Sequence, residues 1–385
     1  MKVNRLTEVK PYEAGGHFDM KGFRLQGHDA SDAQNFWVGL SYFLPGGGTT
    51  HTATPLEKSY VCVGGEITIK AWKNYRSELS PFFLIDDPER IRKLAQTMAF
   101  NIEVKEISSP SDTINCFDKF LPVFPLKNSV TSKLGSPESK NSKAVIESIK
   151  TASKFAMTDE VLGVVTNPIQ KSVLYEAGFA FPGHTEFLGH LASTDHSPLM
   201  MFISPQLKVA CVTGHKSLSE SIREISSENI INCAFLAETS LIKYFNFRKP
   251  RIAIAGINPH AGENGSMGDE ERSIISPAVD YLIKKGVNVD GPFAPDSLFS
   301  ERARKNYDIV ICMYHDQGLI PIKAIDFEET VNVSIGLPFI RTSPDHGTGI
   351  DIAGTGKASE KSLVEAIKTA KNMHIGSKRK LLPIS

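Results

Sequence analysis

The sequence lacks several features that would mark whole classes of protein. It has no excess of charge, because 43 Lys and Arg residues balance 43 Asp and Glu residues, which leaves no electrostatic footprint for nucleic acid or an anionic membrane. No apolar run approaches the ~18 residues of a membrane helix, and residues 1–16 contain no apolar signal region. We therefore expect no nucleic-acid partner and no membrane association.

Cysteine is scarce and widely scattered, and no C-x-x-C pair occurs. This pattern excludes a disulfide framework and favours free thiols in a reducing, cytoplasmic setting. A content of 41% hydrophobic and 22% charged residues excludes a mostly disordered chain. The length of 385 residues suggests two or three domains of about 150 residues each. The five cysteines are Cys62, Cys116, Cys211, Cys233 and Cys312.

The chain changes character near residue 75. Before this point it resembles β structure, and residues 58–72 read as a hairpin with Gly64-Gly65 at its turn. After it, short apolar runs alternate with helical patterns, which predicts an α/β architecture with a largely parallel sheet. The predicted strands of this second part include residues 81–85, 161–166, 199–203, 208–213, 251–257, 308–314 and 331–335.

Three of these strands run into a histidine, namely His215, His260 and His315. In open α/β sheets, ligands collect at the carboxyl ends of strands. Three neutral imidazoles suit zinc and similar divalent ions, and a three-histidine site leaves a position open for a substrate. The alternative is that each is an isolated loop histidine, and spacing alone leaves that alternative open.

Further polar residues follow the same strands. Asp316 lies beside His315, Lys323 follows eight residues after that histidine, Asn332 lies within a predicted strand, and Arg341 follows the next apolar run. Arginine offers a bidentate fork and lysine a point charge, so the set suits a substrate with phosphate or carboxylate groups. The alternative is that both cations lie on the surface.

No G-x-G-x-x-G motif follows a strand, so the standard dinucleotide fingerprint is absent. A glycine-rich segment, residues 345–354, instead opens toward a helix. Its small residues and free amides could approach an adenosine group closely, or it could be a plain loop.

Seven motifs follow one another along the second part of the chain. They are VVTNPIQKSVLYEAG (164–178), HTEF (184–187), TGH (213–215), GINPHAGENGSMGDEE (256–271), GPFAPDSLF (291–299), MYHDQGL (313–319) and VNVSIGLPFIRTSPDHGTGIDIAGTGKA (331–358). Together they resemble the 4-hydroxythreonine-4-phosphate dehydrogenase family of vitamin B6 synthesis across roughly residues 80–376. Residues 345–354 also resemble the cofactor loop of isocitrate and isopropylmalate dehydrogenases. The resemblance implies their two-subdomain α/β/α fold and NAD or NADP as cofactor.

The same resemblance implies a role for each matching position. A divalent ion (zinc, magnesium or cobalt) would be held by His215, His260 and His315. The substrate would be bound by His184, Thr185, Lys323, Asn332 and Arg341. Catalytic roles would fall to Lys323, Asp296 and Asp316. The cofactor would contact Asp345, His346, Gly347, Thr348 and Asp351. The family shares each active site between two subunits, which implies a homodimer.

The implied reaction oxidises the C3 hydroxyl of 4-phosphooxy-L-threonine with NAD(P)+. The product, 2-amino-3-oxo-4-phosphooxybutanoate, then loses CO₂ to give 3-amino-2-oxopropyl phosphate. Two alternatives remain within the resemblance. One is a dehydrogenase of a related four-carbon phosphorylated sugar acid, and the other is a catalytically impaired relative that binds a metal or ligand.

The chain departs from the family at its beginning. Members begin with a strand and a turn resembling Gly-Asp-Pro-Ala-Gly-Ile-Gly-Pro-Glu, which this sequence lacks. We therefore expect the family's first strand and helix to be missing, with the dehydrogenase-like domain spanning residues 76–385.

Residues 1–75 resemble part of a cupin barrel. Residues 46–51 end in His51, followed by Glu57 and Gly64, as in the first cupin motif, but its second histidine position is Ala53. A structural half-barrel, or a remnant of gene fusion, is the preferred interpretation. A function carried by the cupin-like segment, with the large domain as scaffold, is the remaining alternative.

Overall fold

A computed structural model describes residues 11–12, 17–26, 38–49, 60–62, 65–131, 133–194 and 197–378. The chain divides into two compact units, Met1–Glu57 and Lys58–Ser385. In the first unit, strands β1 (Pro11–Tyr12), β2 (His17–Gln26) and β3 (Val38–Thr49) form an antiparallel sheet in the order β1-β2-β3. His51, Ala53 and Glu57 lie outside the described residues, so the cupin-like interpretation stays a prediction.

The second unit contains twelve strands and thirteen α-helices among the described residues. Its strands are β4 (Tyr60–Cys62), β5 (Phe82–Asp86), β6 (Val104–Glu106), β7 (Leu121–Pro125), β8 (Gly163–Val165), β9 (Leu199–Ile203), β10 (Lys208–Cys211), β11 (Ile252–Ala255), β12 (Val289–Phe293), β13 (Ile309–Cys312), β14 (Val331–Ile335) and β15 (Arg341–Pro344). Its helices are α1 (Glu66–Tyr75), α2 (Pro88–Thr97), α3 (Asp112–Cys116), α4 (Ser142–Met157), α5 (Lys171–Glu176), α6 (His184–Ala192), α7 (Leu218–Glu224), α8 (Ser227–Phe245), α9 (Ser276–Lys284), α10 (Pro295–Leu298), α11 (Glu301–Arg304), α12 (His315–Asp326) and α13 (Lys361–Lys378).

All twelve strands form one sheet in the order β12-β11-β13-β10-β9-β14-β15-β8-β4-β5-β7-β6. The neighbours from β12 to β10 and from β15 to β6 pair in parallel. The pairs β10/β9, β9/β14 and β14/β15 between them are antiparallel. The predicted α/β class and largely parallel sheet are confirmed, with an antiparallel stretch in the middle.

Helices cover both faces of the sheet, as expected for strands that are apolar along their whole length. In β5, Phe82 and Leu84 pack into one apolar cluster, whereas Phe83 and Ile85 pack into another on the opposite face. Asp87 caps the start of α2, because its carboxylate accepts hydrogen bonds from the amides of Glu89 and Arg90.

The hairpin predicted around Gly64-Gly65 is wrong. The run before it forms β4, which pairs in parallel with β5 and β8, and the run after it forms helix α1. The buried side chains of α1 are Thr68, Ile69, Ala71 and Trp72, a helical and not an alternating spacing. The second compact unit therefore begins at Lys58 and not after residue 75, and it contains a strand and a helix, β4 and α1, before β5.

Candidate active site

The three predicted histidines follow three neighbouring strands of the sheet. Strands β11, β13 and β10 are adjacent and parallel, so their carboxyl ends lie at the same edge. The structure brings two of the histidines together, since the ring centroids of His215 and His315 are 5.5 Å apart. His260 does not join them, and no group of three His, Cys, Asp or Glu side chains is placed to hold a metal within the described ranges.

The local chemistry of this histidine pair suits metal binding. Nδ1 of His315 lies 2.7 Å from Oδ1 of Asp316, which leaves Nε2 of the same ring for a ligand. A carboxylate on the far nitrogen is the usual partner of a metal-bound imidazole. His215 keeps an open side toward solvent. Its partial burial, followed by the charge of Lys171, lowers its pKa to about 4, which keeps the ring neutral and its lone pair available.

His260 lies in a loop with unusual backbone geometry. The residues from His260 to Asn264 all have positive φ, between 42° and 77°, and form a left-handed turn that is unfavourable for residues other than glycine. His260 is exposed. Helix α10, which carries the predicted catalytic Asp296, packs against this turn. Within one chain, Asp296 is exposed and has no described contact with the histidine pair.

A polar cavity of about 440 Å³ lies beside His215, and we call it the substrate cavity. Two buried polar atoms in its wall, Nε2 of His184 and Oδ1 of Asn332, have no hydrogen-bond partner among the residues that the structure describes. Burial, together with the charges of Arg341 and Lys171, holds the pKa of His184 well below its usual value. Buried polar atoms without partners are rare in native proteins, so these two mark a place for a ligand.

Arg341 is the buried cation of the substrate cavity. It is 4% exposed, and its guanidinium donates to the hydroxyls of Thr166 (2.6 Å and 3.2 Å) and Ser334 (2.9 Å). Burial lowers its pKa to about 10, so it stays charged at neutral pH. No carboxylate in the described part of the chain lies within ion-pair distance. Because an unpaired buried charge is costly, this arrangement calls for an anionic ligand.

The remaining predicted substrate residues lie around the same space. Oγ1 of Thr185 is 3.2 Å from Oγ of Ser334, which places it next to Arg341. Nζ of Lys323 forms an ion pair of 3.1 Å with Asp345, whose carboxylate lines the cavity. The structure therefore brings together four of the five predicted substrate residues at the cavity wall and ties the fifth, Lys323, to that wall.

Lys171 lines the cavity and was not predicted as a site residue. It lies at the start of α5, after the carboxyl end of β8, and no described residue forms an ion pair or hydrogen bond with its ammonium group. It belongs to the motif at 164–178. Its position after a strand end, the same signal that singled out the histidines, could have identified it.

A second, larger cavity of about 620 Å³ adjoins the first, and we call it the cofactor cavity. Its walls are mostly apolar, and part of them is the glycine-rich loop 345–354. His346, Gly347 and Thr348 line both cavities, as does the segment 167–170. The exposed Asp351 lines neither cavity. The large cavity has the size and apolar character of a site for a small-molecule cofactor.

Comparison with known proteins gives the family. A sequence profile described as "Pyridoxal phosphate biosynthetic protein PdxA" matches residues 78–370. The chain belongs to the PdxA family. A protein of Bradyrhizobium diazoefficiens named 4-hydroxythreonine-4-phosphate dehydrogenase is 43% identical over 337 residues, which cover 84% of this chain and 98% of that protein. One of the same name from Methylorubrum populi is 42% identical over 319 residues, covering 81% and 91%.

A solved structure supports the same family assignment. The crystal structure of 4-hydroxythreonine-4-phosphate dehydrogenase from Klebsiella pneumoniae superposes with a TM-score of 0.74 at 34% identity, covering 82% of this chain and 99% of that one. Nearly the whole length of these relatives therefore has a counterpart in this chain. No helix among the described residues is long and apolar enough to cross a membrane.

Proposed function

We propose that this chain oxidises 4-phosphooxy-L-threonine at its C3 hydroxyl with NAD(P)+ and decarboxylates the product to 3-amino-2-oxopropyl phosphate, a step in pyridoxal phosphate synthesis. The observation that carries the proposal is Arg341, a buried guanidinium without a carboxylate partner among the described residues, in a cavity that adjoins the cofactor cavity. The 43% identity with a dehydrogenase of that name supports the same reaction.

The substrate cavity matches the charges of this substrate. Its phosphate and carboxylate groups are anionic, and Arg341 and Lys171 present two cations without ion-pair partners among the described residues. The neutral His184 and the amide oxygen of Asn332 offer uncharged hydrogen-bonding atoms. In the proposal, Arg341 binds one anionic group in bidentate fashion, and the two orphaned atoms pair with substrate oxygen and nitrogen atoms.

NAD or NADP would occupy the cofactor cavity and accept the hydride. His346, Gly347 and Thr348 would contact it along the wall that the two cavities share, and Asp345 would contact it from the substrate cavity, which it lines. Hydride transfer requires the reacting carbons to be close, and a shared wall is the arrangement that brings them together. Asp351, which lines neither cavity, remains a proposed cofactor contact from the resemblance alone.

A divalent ion would stabilise negative charge on the substrate oxygen during both oxidation and decarboxylation. His215 and His315 fit this ion, because both can present a neutral nitrogen beside the substrate cavity. Imidazole ligands favour zinc or cobalt over magnesium. Within one chain the set is incomplete, and we propose that His260 of a second copy completes it, so that the active site is shared in a homodimer.

Exposed apolar side chains around these histidines support a homodimer. Leu218 and Ile222 project from α7, just after His215, and Ile320 on α12 is 66% exposed. Large apolar side chains grouped around functional residues are typical of an interface. Asp296, which packs beside the His260 turn, would reach the active site with it.

The proposed catalytic roles follow from these positions. Asp316 orients His315 through Nδ1. Lys323, held by Asp345, is the candidate to exchange the proton of the substrate hydroxyl. The four described free thiols are buried, which agrees with a cytoplasmic enzyme.

The test measures dinucleotide reduction by the full chain with zinc and 4-phosphooxy-L-threonine. We expect turnover by the wild-type protein, little turnover with unphosphorylated 4-hydroxythreonine, and a rate at least tenfold lower for Arg341→Met, which is ~1.4 kcal/mol in the barrier. Turnover only with a phosphorylated four-carbon sugar acid would assign the related dehydrogenase. Bound zinc with no turnover of any of these substrates would identify the impaired relative.

A further inference from the structure

Three side chains of helix α1 form hydrogen bonds with the end of the glycine-rich loop and the residues after it. Glu66, Lys70 and Asn74 are spaced by four residues and therefore lie along one face of the helix. All three contact the segment 354–360, which continues the glycine-rich loop 345–354. We call these three residues the α1 clamp.

The contacts of the clamp are polar, and those of Lys70 and Glu66 are directed at the backbone of the loop. Nζ of Lys70 donates to the carbonyl oxygens of Gly356 (2.7 Å) and Ala358 (2.6 Å). Oε2 of Glu66 accepts the amide hydrogen of Gly354 at 3.1 Å. Nδ2 of Asn74 donates to Oε1 of Glu360 at 2.7 Å. Both ends of the segment are thus tied to one helix.

The two charged members of the clamp are largely shielded from water. The side chains of Lys70 and Glu66 are 14% and 10% exposed, and they form an ion pair of 3.7 Å with each other. Hydrogen bonds from a charged group are stronger than neutral ones, and their strength grows when water is excluded. These contacts are therefore not equivalent to the weak ion pairs of an open surface.

The segment held by the clamp forms part of the wall of the cofactor cavity. Ala353, Gly354 and Ala358 line that cavity, and so does Glu66. Gly354 and Gly356 have φ of 76° and 74°, in the left-handed region that glycine enters most easily. Because glycine is free to leave this conformation, the shape of the wall depends on contacts from outside the loop.

We propose that Glu66 and Lys70 are positioning residues that set the affinity for the dinucleotide by holding the wall of the cofactor cavity in its binding shape. This inference depends on the proposed function, since it concerns the same cofactor. It also gives α1, in a segment where the sequence predicted a hairpin, a role in cofactor binding. Binding to an already ordered loop avoids the cost of ordering it.

The test titrates the full-length protein with NADH and with NADPH and follows the fluorescence of the bound dinucleotide. Lys70→Met removes both carbonyl contacts, and Glu66→Ala removes the amide contact. For each we expect a dissociation constant raised about tenfold or more for the preferred dinucleotide. Glu66→Gln keeps an acceptor for the Gly354 amide and is expected to bind more tightly than Glu66→Ala.

Lys73→Met is the matched control, because Lys73 is an exposed lysine of the same helix with no contact to the loop. Its dissociation constant is expected to equal that of the wild type. In steady-state kinetics, the clamp variants should raise KM for the dinucleotide and leave KM for 4-phosphooxy-L-threonine unchanged. Loss of the overall fold would not raise one of these two KM values alone. A selective rise in KM for the dinucleotide therefore identifies a positioning role.

The possible outcomes distinguish failure of this inference from failure of the proposed function. If the wild type binds a dinucleotide, and Lys70→Met and Glu66→Ala bind it as tightly, the clamp does not set affinity and this inference is wrong. If Lys70→Met lowers the melting temperature too far for titration, Lys70→Arg is titrated in its place, because it keeps the charge and the hydrogen-bond donors. Its dissociation constant is expected to lie near the wild-type value, and a value far from it would contradict the inference. A wild type that binds neither dinucleotide would contradict the proposed function itself.

Discussion

Replacing Glu271 with alanine is expected to release the turn that carries His260. The carboxylate of Glu271 is 5% exposed. Its Oε1 accepts the amide hydrogens of Ile257 and Asn258, both at 2.7 Å, and its Oε2 accepts from the Asn258 side chain at 2.9 Å. The packing is close, because a Cβ atom at Gly262 would lie 2.6 Å from Oε2.

The expected loss of stability follows from these bonds. Glu271→Ala leaves two backbone amides without their acceptor, and each partly buried, unsatisfied group costs ~1–3 kcal/mol. The four non-glycine residues of the left-handed turn store strain that the carboxylate helps to hold. We therefore expect a fall of about 3 kcal/mol in the free energy of unfolding. Glu271→Gln, which keeps one oxygen acceptor, should lose about 1 kcal/mol.

Urea unfolding and amide hydrogen exchange measure the two consequences. The amides of Ile257 and Asn258 should exchange much faster in Glu271→Ala, and zinc affinity should fall with the displacement of His260. Glu263→Gln is the control, since Glu263 is an exposed residue of the same turn. A loss below about 1 kcal/mol in Glu271→Ala, with both amides still protected, would refute the reasoning.

Three further predictions concern the two cavities. Lys171→Met should raise KM for 4-phosphooxy-L-threonine about tenfold with little change in kcat, because it removes a cation that we propose binds the substrate. Steady-state kinetics would contradict this if kcat fell at constant KM. His184 stays neutral in the folded protein, so the unfolded chain binds more protons, and stability should fall as pH drops below about 6.5. His184→Gln should flatten that dependence in urea titrations, and an unchanged slope would show that this imidazole is not responsible. Gly354→Ala should weaken NADH binding, because φ of 76° is strained for alanine and its Cβ would lie 2.8 Å from Cδ1 of Leu134; an unaltered dissociation constant in a fluorescence titration would argue against the tight fit.

The arrangement of the strands could be predicted because it follows from local patterns of apolar and polar residues. Apolar runs such as 252–257 and 309–314 indicate interior strands, and a polar residue after each indicates the carboxyl edge. The structure places β11, β13 and β10 side by side, as the three histidines require. Arg341 and Asn332 were likewise predicted from their strand positions, and both lie at the substrate cavity.

Helix α1 could not be predicted from its own sequence. In Glu66–Tyr75, Ile67, Ile69 and Ala71 alternate with polar residues, which is the pattern of a strand. Tertiary contacts decide otherwise, because Thr68 is fully buried and its hydroxyl accepts a hydrogen bond from Nδ2 of Asn167 at 2.8 Å. Hydrophobic periodicity counts only apolar residues, so it cannot detect a polar residue that is buried through contact with a partner far along the chain.

The separation of His260 from the other two histidines has a related cause. Its strand, β11, ends at Ala255, two residues before the end predicted at residue 257. The left-handed turn after β11 directs the chain away, and that turn depends on Glu271, which follows the strand by sixteen residues. Spacing along the chain therefore places the residue at the correct edge of the sheet without placing it in the site.

The reaction itself gives the most direct measurement. Full-length protein loaded with zinc is incubated with 4-phosphooxy-L-threonine and NAD+ or NADP+, and reduced dinucleotide and released CO₂ are quantified together. We predict that both products form in equal amounts and that Arg341→Met forms neither at a comparable rate. Failure of the metal-loaded wild type to reduce either dinucleotide, or equal turnover by Arg341→Met, would contradict the assignment of these cavities.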